Sequence, residues 1–193
     1  YSIWYESENY HGFFDKEGRP MKKAFLKSPV SYSRISSRYN PRRFHPIQKR
    51  VKPHLGTDYA APRGTPIRAV ADGVVTKAAY TRGNGVYVKI RHDKTYQTQY
   101  LHMTKYARGI SPGVKVRQGQ TIGYVGSTGL ATGPHVCFRF WKNGRQVDHL
   151  RENLPPPEPM AQEELPQYYK NRDKILQLMH PDPSIESDLS PIL

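Results

Sequence analysis

The chain has 193 residues, 36% of them hydrophobic, which is enough for one full domain with extensions or for two small ones. Its formal net charge of +14 favours anionic partners such as nucleic acid, anionic lipid or an acidic cell-wall polymer. No apolar run approaches the ~18 residues of a membrane span, and no zinc-finger, RNP or P-loop pattern supports nucleic-acid binding.

Residues 1–30 mix aromatic residues with a turn signal at Asp15–Gly18, which predicts short strands around one hairpin. They are too few to bury a core by themselves, so we expect the end of a preceding domain or a β arm. Because the sequence starts at Tyr1 and shows no signal-peptide pattern, we expect a mature or truncated piece of a longer protein.

Residues 65–148 are dense in short apolar or alternating runs separated by turn residues. Runs of this kind, joined by tight turns, predict a mainly β domain built on an antiparallel sheet. The predicted strands are Thr65–Val70, Val74–Ala79, Val86–Arg91, Thr95–His102, Thr121–Val125 and His135–Trp141.

The last part of the chain begins with the proline-rich linker LPPPEPM at residues 154–160. Apolar residues at helical spacing then predict one short helix over Gln162–Met179, with its apolar face docked on the body of the protein. A polar, proline-broken tail follows. We therefore divide the chain into a β arm (1–30), a central domain (31–152) and a segment of linker, helix and tail (153–193).

Four patterns carry side chains suited to chemistry. His54 and Asp58 stand four residues apart and offer two good zinc donors, although for this pair alone a chance occurrence is the better explanation. His102 ends a predicted strand, where a structural histidine is the simpler interpretation. His135 and Cys137 are two residues apart on a predicted strand, so their side chains share one face.

Cys137 is the chain's only cysteine, which excludes an internal disulfide and leaves a small buried hydrophobe or a metal ligand. The fourth pattern is the glycine-rich stretch 126–133, directly before the same strand. It lacks the lysine of a phosphate-binding P-loop, so we expect a substrate-facing or conformational loop.

The order of these patterns, and the blocks around them, resemble the LytM/lysostaphin-type zinc metalloendopeptidases. Those enzymes cut peptide bridges in bacterial peptidoglycan. The resemblance implies an antiparallel β-sheet domain of that type, with the N-terminal β arm and the short C-terminal helix as additions. The matching blocks are RRFHP (42–46), HLGTDYAAPRGTPIRAVADGVV (54–75), GNGVYVKIRHD (83–93), YLHM (100–103) and VRQGQTIGYVGSTGLATGPH (116–135).

The resemblance also implies the roles of five residues. His54 and Asp58 match the family's first two ligands of a single Zn²⁺ ion. His102 and His135 match its two catalytic histidines. Cys137 stands where the family has a histidine as third ligand, and it is the one departure among the five. The substrate-binding residues stay unknown.

The exchange of histidine for cysteine leaves a ligand set that still suits zinc. It changes the net charge of the centre from +1 to zero, because a thiolate replaces a neutral imidazole. A less positive centre polarises a carbonyl less. We expect a slower enzyme, one adapted to higher pH, or one that uses another metal.

The flanking segments resemble those of Gram-negative envelope endopeptidases. This predicts a periplasmic or cell-envelope protein whose partners are peptidoglycan stem peptides and their D-Ala–meso-diaminopimelate cross-links. We expect no nucleic-acid partner, and membrane association only through segments absent from this chain. The oligomeric state is not predicted. The alternative from another functional class is a zinc-free regulator that binds and activates a cell-wall amidase.

Overall fold

The computed structural model describes residues 1–21, 24–31, 33–45, 50–154, 156–157 and 159–179. The predicted tail and His180 lie outside these ranges, and so does the side chain of His45. Within them the chain divides into two compact units. We call Phe25–Leu154 the central unit, and Tyr1–Ala24 with Pro155–Leu193 the terminal unit.

The secondary structure of the described residues consists of β-strands and one helix. The elements are β1 (Ile3–Glu6), β2 (His11–Phe14), β3 (Arg34–Ser37), β4 (Phe44–His45), β5 (Arg50–Val51), β6 (Thr57–Ala60), β7 (Pro66–Arg68), β8 (Gly73–Thr81), β9 (Gly85–Arg91), β10 (Tyr96–Tyr106), β11 (Lys115–Val116), β12 (Thr121–Val125), β13 (His135–Lys142), β14 (Arg145–Val147) and α1 (Leu165–Met179). None of the described helical segments is long and apolar enough to cross a membrane.

The central unit is built on one antiparallel sheet, as the sequence predicts. Its strands follow the order β11-β8-β9-β10-β13-β6-β3. In addition, β12 pairs with β10 and with β7, and β14 pairs with β13. The 11-residue strand β10 joins this sheet to β12 through an irregular register near Met103. Each of the six predicted strands overlaps an observed one, and the prediction of a mainly β, antiparallel domain is confirmed.

One face of the sheet packs the core of the central unit. Tyr100 and Phe138 are fully or almost fully buried there, with ring centroids 5.3 Å apart. The Tyr100 hydroxyl accepts a hydrogen bond from the Val70 amide at 3.0 Å, which satisfies its buried polar end. Because side chains alternate along a strand, this packing leaves the neighbours of Phe138 on the opposite face of the sheet.

The terminal unit joins the first and last parts of the chain. Ile3, Tyr5 and Phe14 on one face of the β1–β2 hairpin form a buried cluster with Tyr168 of α1 and with Met160. The helix therefore packs on the β1–β2 hairpin and completes a hydrophobic core that the hairpin is too short to form alone.

Hydrogen bonds reinforce this cluster. The Tyr168 hydroxyl donates to the Asp15 carbonyl at 2.6 Å, and the Tyr5 hydroxyl donates to Glu164 at 2.7 Å. The hairpin itself turns earlier than predicted, between Glu6 and His11. The Asp15–Gly18 signal instead forms the next turn, which brings Pro20 back to pair with Phe14.

Candidate metal centre

Three of the predicted site residues meet on neighbouring strands of the main sheet. Strand β13 lies between β6 and β10, and Cys137 pairs directly with Asp58 across the β6–β13 ladder. His54 precedes β6, where its backbone pairs with Asn40. One potential ligand atom from each of His54, Asp58 and Cys137 lies within 4.8 Å of the others.

The spacing of these atoms fits a zinc ion. Ligands held tetrahedrally at the usual zinc distances of about 2.0–2.3 Å stand about 3.3–3.6 Å apart. Nε2 of His54 lies 3.0 Å from Oδ1 of Asp58 and 3.7 Å from Sγ of Cys137, values that bracket this range. Imidazole nitrogen, carboxylate oxygen and thiolate sulfur are also the donors that zinc prefers.

The second ring nitrogen of His54 contacts the backbone. Nδ1 lies 3.0 Å from the carbonyl oxygen of Arg38 and 3.1 Å from the hydroxyl of Ser37. A carbonyl oxygen only accepts, so this contact places the ring proton on Nδ1 and leaves Nε2 as a lone-pair donor facing Asp58. Two lone pairs 3.0 Å apart require a cation between them. This is either a metal ion or a proton on Nε2, and the proton would make His54 a charged hydrogen-bond donor to Asp58. Zinc-binding histidines are typically oriented in this way.

The protonation of the other two donors differs. Burial raises the pKa of Asp58, but the hydrogen bond and charge of His54, with a hydrogen bond from Cys137, outweigh it and lower the pKa below its ordinary value. Burial raises the pKa of the Cys137 thiol to about 12, and the Asp58 carboxylate adds to the rise. The carboxylate is therefore ready to bind a cation, whereas the thiol must lose its proton first.

The two remaining predicted residues lie beside this group. The rings of His102 and His135 are 4.8 Å apart, and Nε2 of His135 lies 3.9 Å from Oδ1 of Asp58. Nδ1 of His102 contacts the Thr128 carbonyl at 2.8 Å, and Nδ1 of His135 contacts the Gly133 carbonyl at 2.8 Å. In the neutral form of each ring, this contact places the proton on Nδ1 and leaves Nε2 without one.

His102 is held in an unusual backbone conformation. Its φ of 63° lies in the left-handed region, which non-glycine residues seldom adopt and which costs on the order of 1–2 kcal/mol. Its position coincides with the register irregularity of β10 against β9. Burial lowers the pKa of His102, against the opposing hydrogen bond to Thr128, and the neighbouring His135 lowers it further. The imidazole is therefore neutral at pH 7.

The glycine-rich stretch holds Thr128 in place, a role that the sequence did not reveal. The Thr128 hydroxyl donates to the Met103 carbonyl at 2.7 Å and accepts from the Val86 amide at 2.9 Å. Gly129 and Gly85, both with positive φ, pack so closely that a side chain on either would collide with the other stretch. The stretch therefore orients His102, as expected of a conformational loop.

Gly56 is a second residue that the sequence did not identify. A Cβ atom at this position would lie 2.9 Å from Sγ of Cys137 and 3.0 Å from both the Phe138 carbonyl oxygen and Cγ of Arg139. Real Cβ atoms essentially never come so close to sulfur, so the missing side chain makes room for the thiol. The sequence shows the glycine but not its proximity to Cys137, because that proximity depends on the pairing of β6 with β13.

The other described histidines lie outside the group. His92 contacts the Asp72 carbonyl at 2.7 Å and the Thr98 hydroxyl at 2.8 Å, which gives this ring a structural role. His11 pairs with Glu6 on the surface. His149 is buried beside Tyr59, a partner that the sequence alone did not identify.

The sequence profile described as Peptidase family M23 matches residues 52–149, which include all five residues of the candidate centre. The chain belongs to peptidase family M23. Among curated M23-type relatives, it is 50% identical over 148 residues to the peptidoglycan DD-endopeptidase ShyC of Vibrio cholerae. That match covers 77% of this chain and 34% of the relative.

Solved structures agree with this assignment. A zinc containing peptidase from Vibrio cholerae has a TM-score of 0.66 at 38% identity, over 77% of this chain and 46% of the other. The catalytic domain of lysostaphin from Staphylococcus simulans has a TM-score of 0.53 at 27% identity, over 61% of this chain and 90% of the other. The chain spans about a third of the length of the curated relatives it matches.

Proposed function

We propose that this M23 chain is a zinc metalloendopeptidase that hydrolyses peptide cross-links of bacterial peptidoglycan. The observation that carries the proposal is the convergence of His54, Asp58 and Cys137 within 4.8 Å, beside two histidines whose Nδ1 atoms each contact a backbone carbonyl. The first three would hold one Zn²⁺ ion, and His102 and His135 would act on the substrate. We assign this activity to the central unit.

Bound zinc would supply a Lewis acid that polarises the scissile carbonyl. With one carboxylate and one thiolate as ligands, the net charge of the centre would be zero. The chain's own residues must therefore contribute more to charge stabilisation than they would around a centre of +1.

His102 and His135 would each accept or donate a proton through a single ring atom, Nε2. Because Nδ1 of each ring is engaged by a backbone carbonyl, only Nε2 is free to take a proton from the attacking water or to give one to the leaving amine. Once protonated, the same Nε2 can donate a hydrogen bond to the oxyanion. The two carbonyl contacts fix both rings without a carboxylate partner.

The name of ShyC supports a D-Ala–meso-diaminopimelate cross-link as the substrate, since this relative is a peptidoglycan DD-endopeptidase and half of the aligned residues are identical. An enzyme with this substrate would act in the cell envelope. The enzyme names of the relatives and the complete donor set favour hydrolysis over the alternative of a zinc-free amidase regulator.

Purified sacculi test the proposal. The zinc-loaded chain should convert cross-linked muropeptide dimers to monomers and leave the glycan strands intact, whereas the His102→Ala variant should leave the dimers uncut. Dimers that persist at full zinc content, together with stimulation of an added amidase, would establish the regulator instead.

A further inference from the structure

A row of basic side chains crosses the sheet next to the candidate centre. Lys77 on β8 pairs with Lys89 on β9, Lys89 pairs with Gln99 on β10, and Gln99 pairs with Arg139 on β13. We call Lys77, Lys89, Gln99 and Arg139 the basic row. With strands about 4.8 Å apart, it extends about 14 Å across four strands.

The basic row lies on the same face of the sheet as the candidate metal ligands. Arg139 follows Cys137 by two residues, so both side chains point the same way and their Cα atoms are about 7 Å apart. Gly56 confirms the shared face, because a Cβ there would touch both Sγ of Cys137 and Cγ of Arg139. On the next row, Leu101 and Tyr87 pack with Cys137.

The row is electrostatically costly. Lys77 and Lys89 stand directly opposite each other, an arrangement of like charges that destabilises a sheet. Burial lowers the pKa of Lys89, and the charge of Lys77 lowers it further. Nε of Arg139 is buried and has no hydrogen-bond partner among the described residues. A buried donor without a partner destabilises the folded chain.

Internal partners offset only part of this cost. Nζ of Lys89 lies 4.4 Å from the ring centroid of Trp141, a cation–π contact on the same face. Among the described residues, no carboxylate forms an ion pair with Lys77, Lys89 or Arg139. Arg139 does contact the Cys137 thiol, whose pKa its charge and hydrogen bond lower. No carboxylate of the described residues neutralises the three cations, so a carboxylate from outside the chain can pair with them.

We propose that the basic row, with Arg139 nearest the centre, binds a free carboxylate of the substrate peptide on the leaving-amine side of the scissile bond. This rests on the proposed function. In a D-Ala–meso-diaminopimelate cross-link, the carbon that bears the scissile nitrogen also bears a free carboxylate. That carboxylate lies a few ångströms from the scissile bond. The guanidinium of Arg139, two residues after Cys137 on the same strand, can reach it.

Charge-assisted hydrogen bonds to a carboxylate are stronger than those between neutral groups, and one arginine can form two of them with the same carboxylate. A neutral carboxamide at the same place would lose the ionic part of this contact. The basic row therefore selects peptides with a carboxylate next to the scissile nitrogen over those with an amide there. Residues farther along the row, Lys89 and Lys77, add long-range attraction that salt weakens.

The test compares two cross-linked muropeptide dimers, one with the free carboxylate of the cross-linking diaminopimelate and one with that group amidated. For the parent we expect a kcat/KM about tenfold or more higher on the carboxylate dimer, mainly through KM. Arg139→Gln should remove most of the difference, Lys89→Gln should reduce it, and Arg139→Lys should restore part of it. Lys94→Gln, which removes an exposed charge elsewhere, should preserve it.

Zinc content and thermal unfolding are measured for every variant, so that loss of metal or of folding is separated from loss of selectivity. Equal cleavage of both dimers by the parent would overturn the basic-row proposal while the proposed function stands. If Arg139→Gln lost zinc but kept the preference, Arg139 would serve the centre and not the substrate, which also contradicts the proposal.

Calorimetric binding of both dimers to the parent chain separates the two proposals. If neither dimer is cut at full zinc content but the carboxylate dimer binds about tenfold more tightly, the proposed function fails and the basic row stands. If neither is cut and both bind equally, both proposals fail.

Discussion

Sγ of Cys137 lies 3.7 Å from Nε2 of His54, although the two residues are 83 positions apart in the chain. The β6–β13 ladder produces this proximity by placing Cys137 opposite Asp58. A thiol packed only as a small hydrophobe would turn away from such polar donors. The contact therefore supports Cys137 as the third zinc ligand and leads to the first prediction.

Cys137→Ala should weaken zinc binding by more than about 100-fold. Loss of a residue that only orients a ligand costs about 10–100-fold, and loss of a direct ligand should cost more. Cys137→His should retain zinc, because imidazole is an equally suitable donor. The measurement is zinc content after equilibration with a competing chelator of known affinity. If Cys137→Ala holds zinc as tightly as the parent, the thiol is not a ligand.

Removal of His102 should separate metal binding from turnover. His102→Ala should lower the rate of cross-link cleavage by about 10²–10⁴-fold, the usual contribution of a general acid or base, and leave zinc content unchanged. The control is His11→Ala, which removes an exposed histidine of the terminal unit. A His102→Ala variant with parental activity would show that the proton transfer lies elsewhere.

Gly56→Ala should disturb the centre through packing alone. The new Cβ would meet Sγ of Cys137 at 2.9 Å and the Phe138 carbonyl oxygen at 3.0 Å, and the backbone oxygen cannot move without disturbing the β6–β13 ladder. We expect a loss of about 1–3 kcal/mol in the free energy of unfolding and weaker zinc binding. Chemical denaturation and chelator competition measure both effects.

Gly83→Ala is the matched control, since a Cβ there meets nothing within 4 Å and the backbone needs no positive φ. It should leave stability and zinc binding close to those of the parent. Equal effects of the two substitutions would mean that the proximity of Gly56 to Cys137 is unimportant.

The buried His149 should make stability depend on pH. Burial lowers its pKa to about 4, while the charge of Asp148 opposes the shift. The Tyr59 hydroxyl, which donates to the Lys27 carbonyl, accepts from Nε2 of the neutral ring at 2.9 Å. Since the unfolded chain has the higher pKa, near 6.5, it binds more protons between about pH 6.5 and 4.

Stability should therefore be complete above about pH 6.5 and should fall by on the order of 2–3 kcal/mol as the pH approaches 4. Urea denaturation at several pH values measures this, with a chelator present to remove any effect of metal binding. Because His92 and His102 also have lowered pKa values, the contribution of His149 is the difference between the parent and His149→Gln. Identical pH profiles for the two proteins would contradict the prediction.

Local patterns were sufficient to predict most of the sheet. Alternation around Val88 and Ile90, and the turns that flank them, specify strands because side chains on a pleated sheet alternate between its faces. The two-residue spacing of His135 and Cys137 likewise placed both side chains on one face. Short pairings such as β3 with β6 gave no such signal, because their strands form only where another strand is already present.

The surroundings of the candidate centre were harder to predict because they depend on backbone atoms. The carbonyls of Thr128, Gly133 and Arg38 orient three imidazoles, and any residue type supplies a carbonyl. The positive φ of His102 lies at a register irregularity of β10, and no residue in the tetrapeptide YLHM predicts that irregularity. The basic row could not be predicted for a similar reason, since Lys77 and Arg139 come to lie in one row only through three consecutive strand pairings.

The composition of the terminal unit has a consequence for how the chain folds. Its hairpin lies within the first 24 residues, and the helix that completes its core begins at Leu165. During synthesis the hairpin must therefore wait, with Ile3, Tyr5 and Phe14 exposed, until the whole central unit has been made. A version of this chain that ends at Leu154 therefore lacks Met160 and Tyr168, the residues that cover the apolar face of the hairpin.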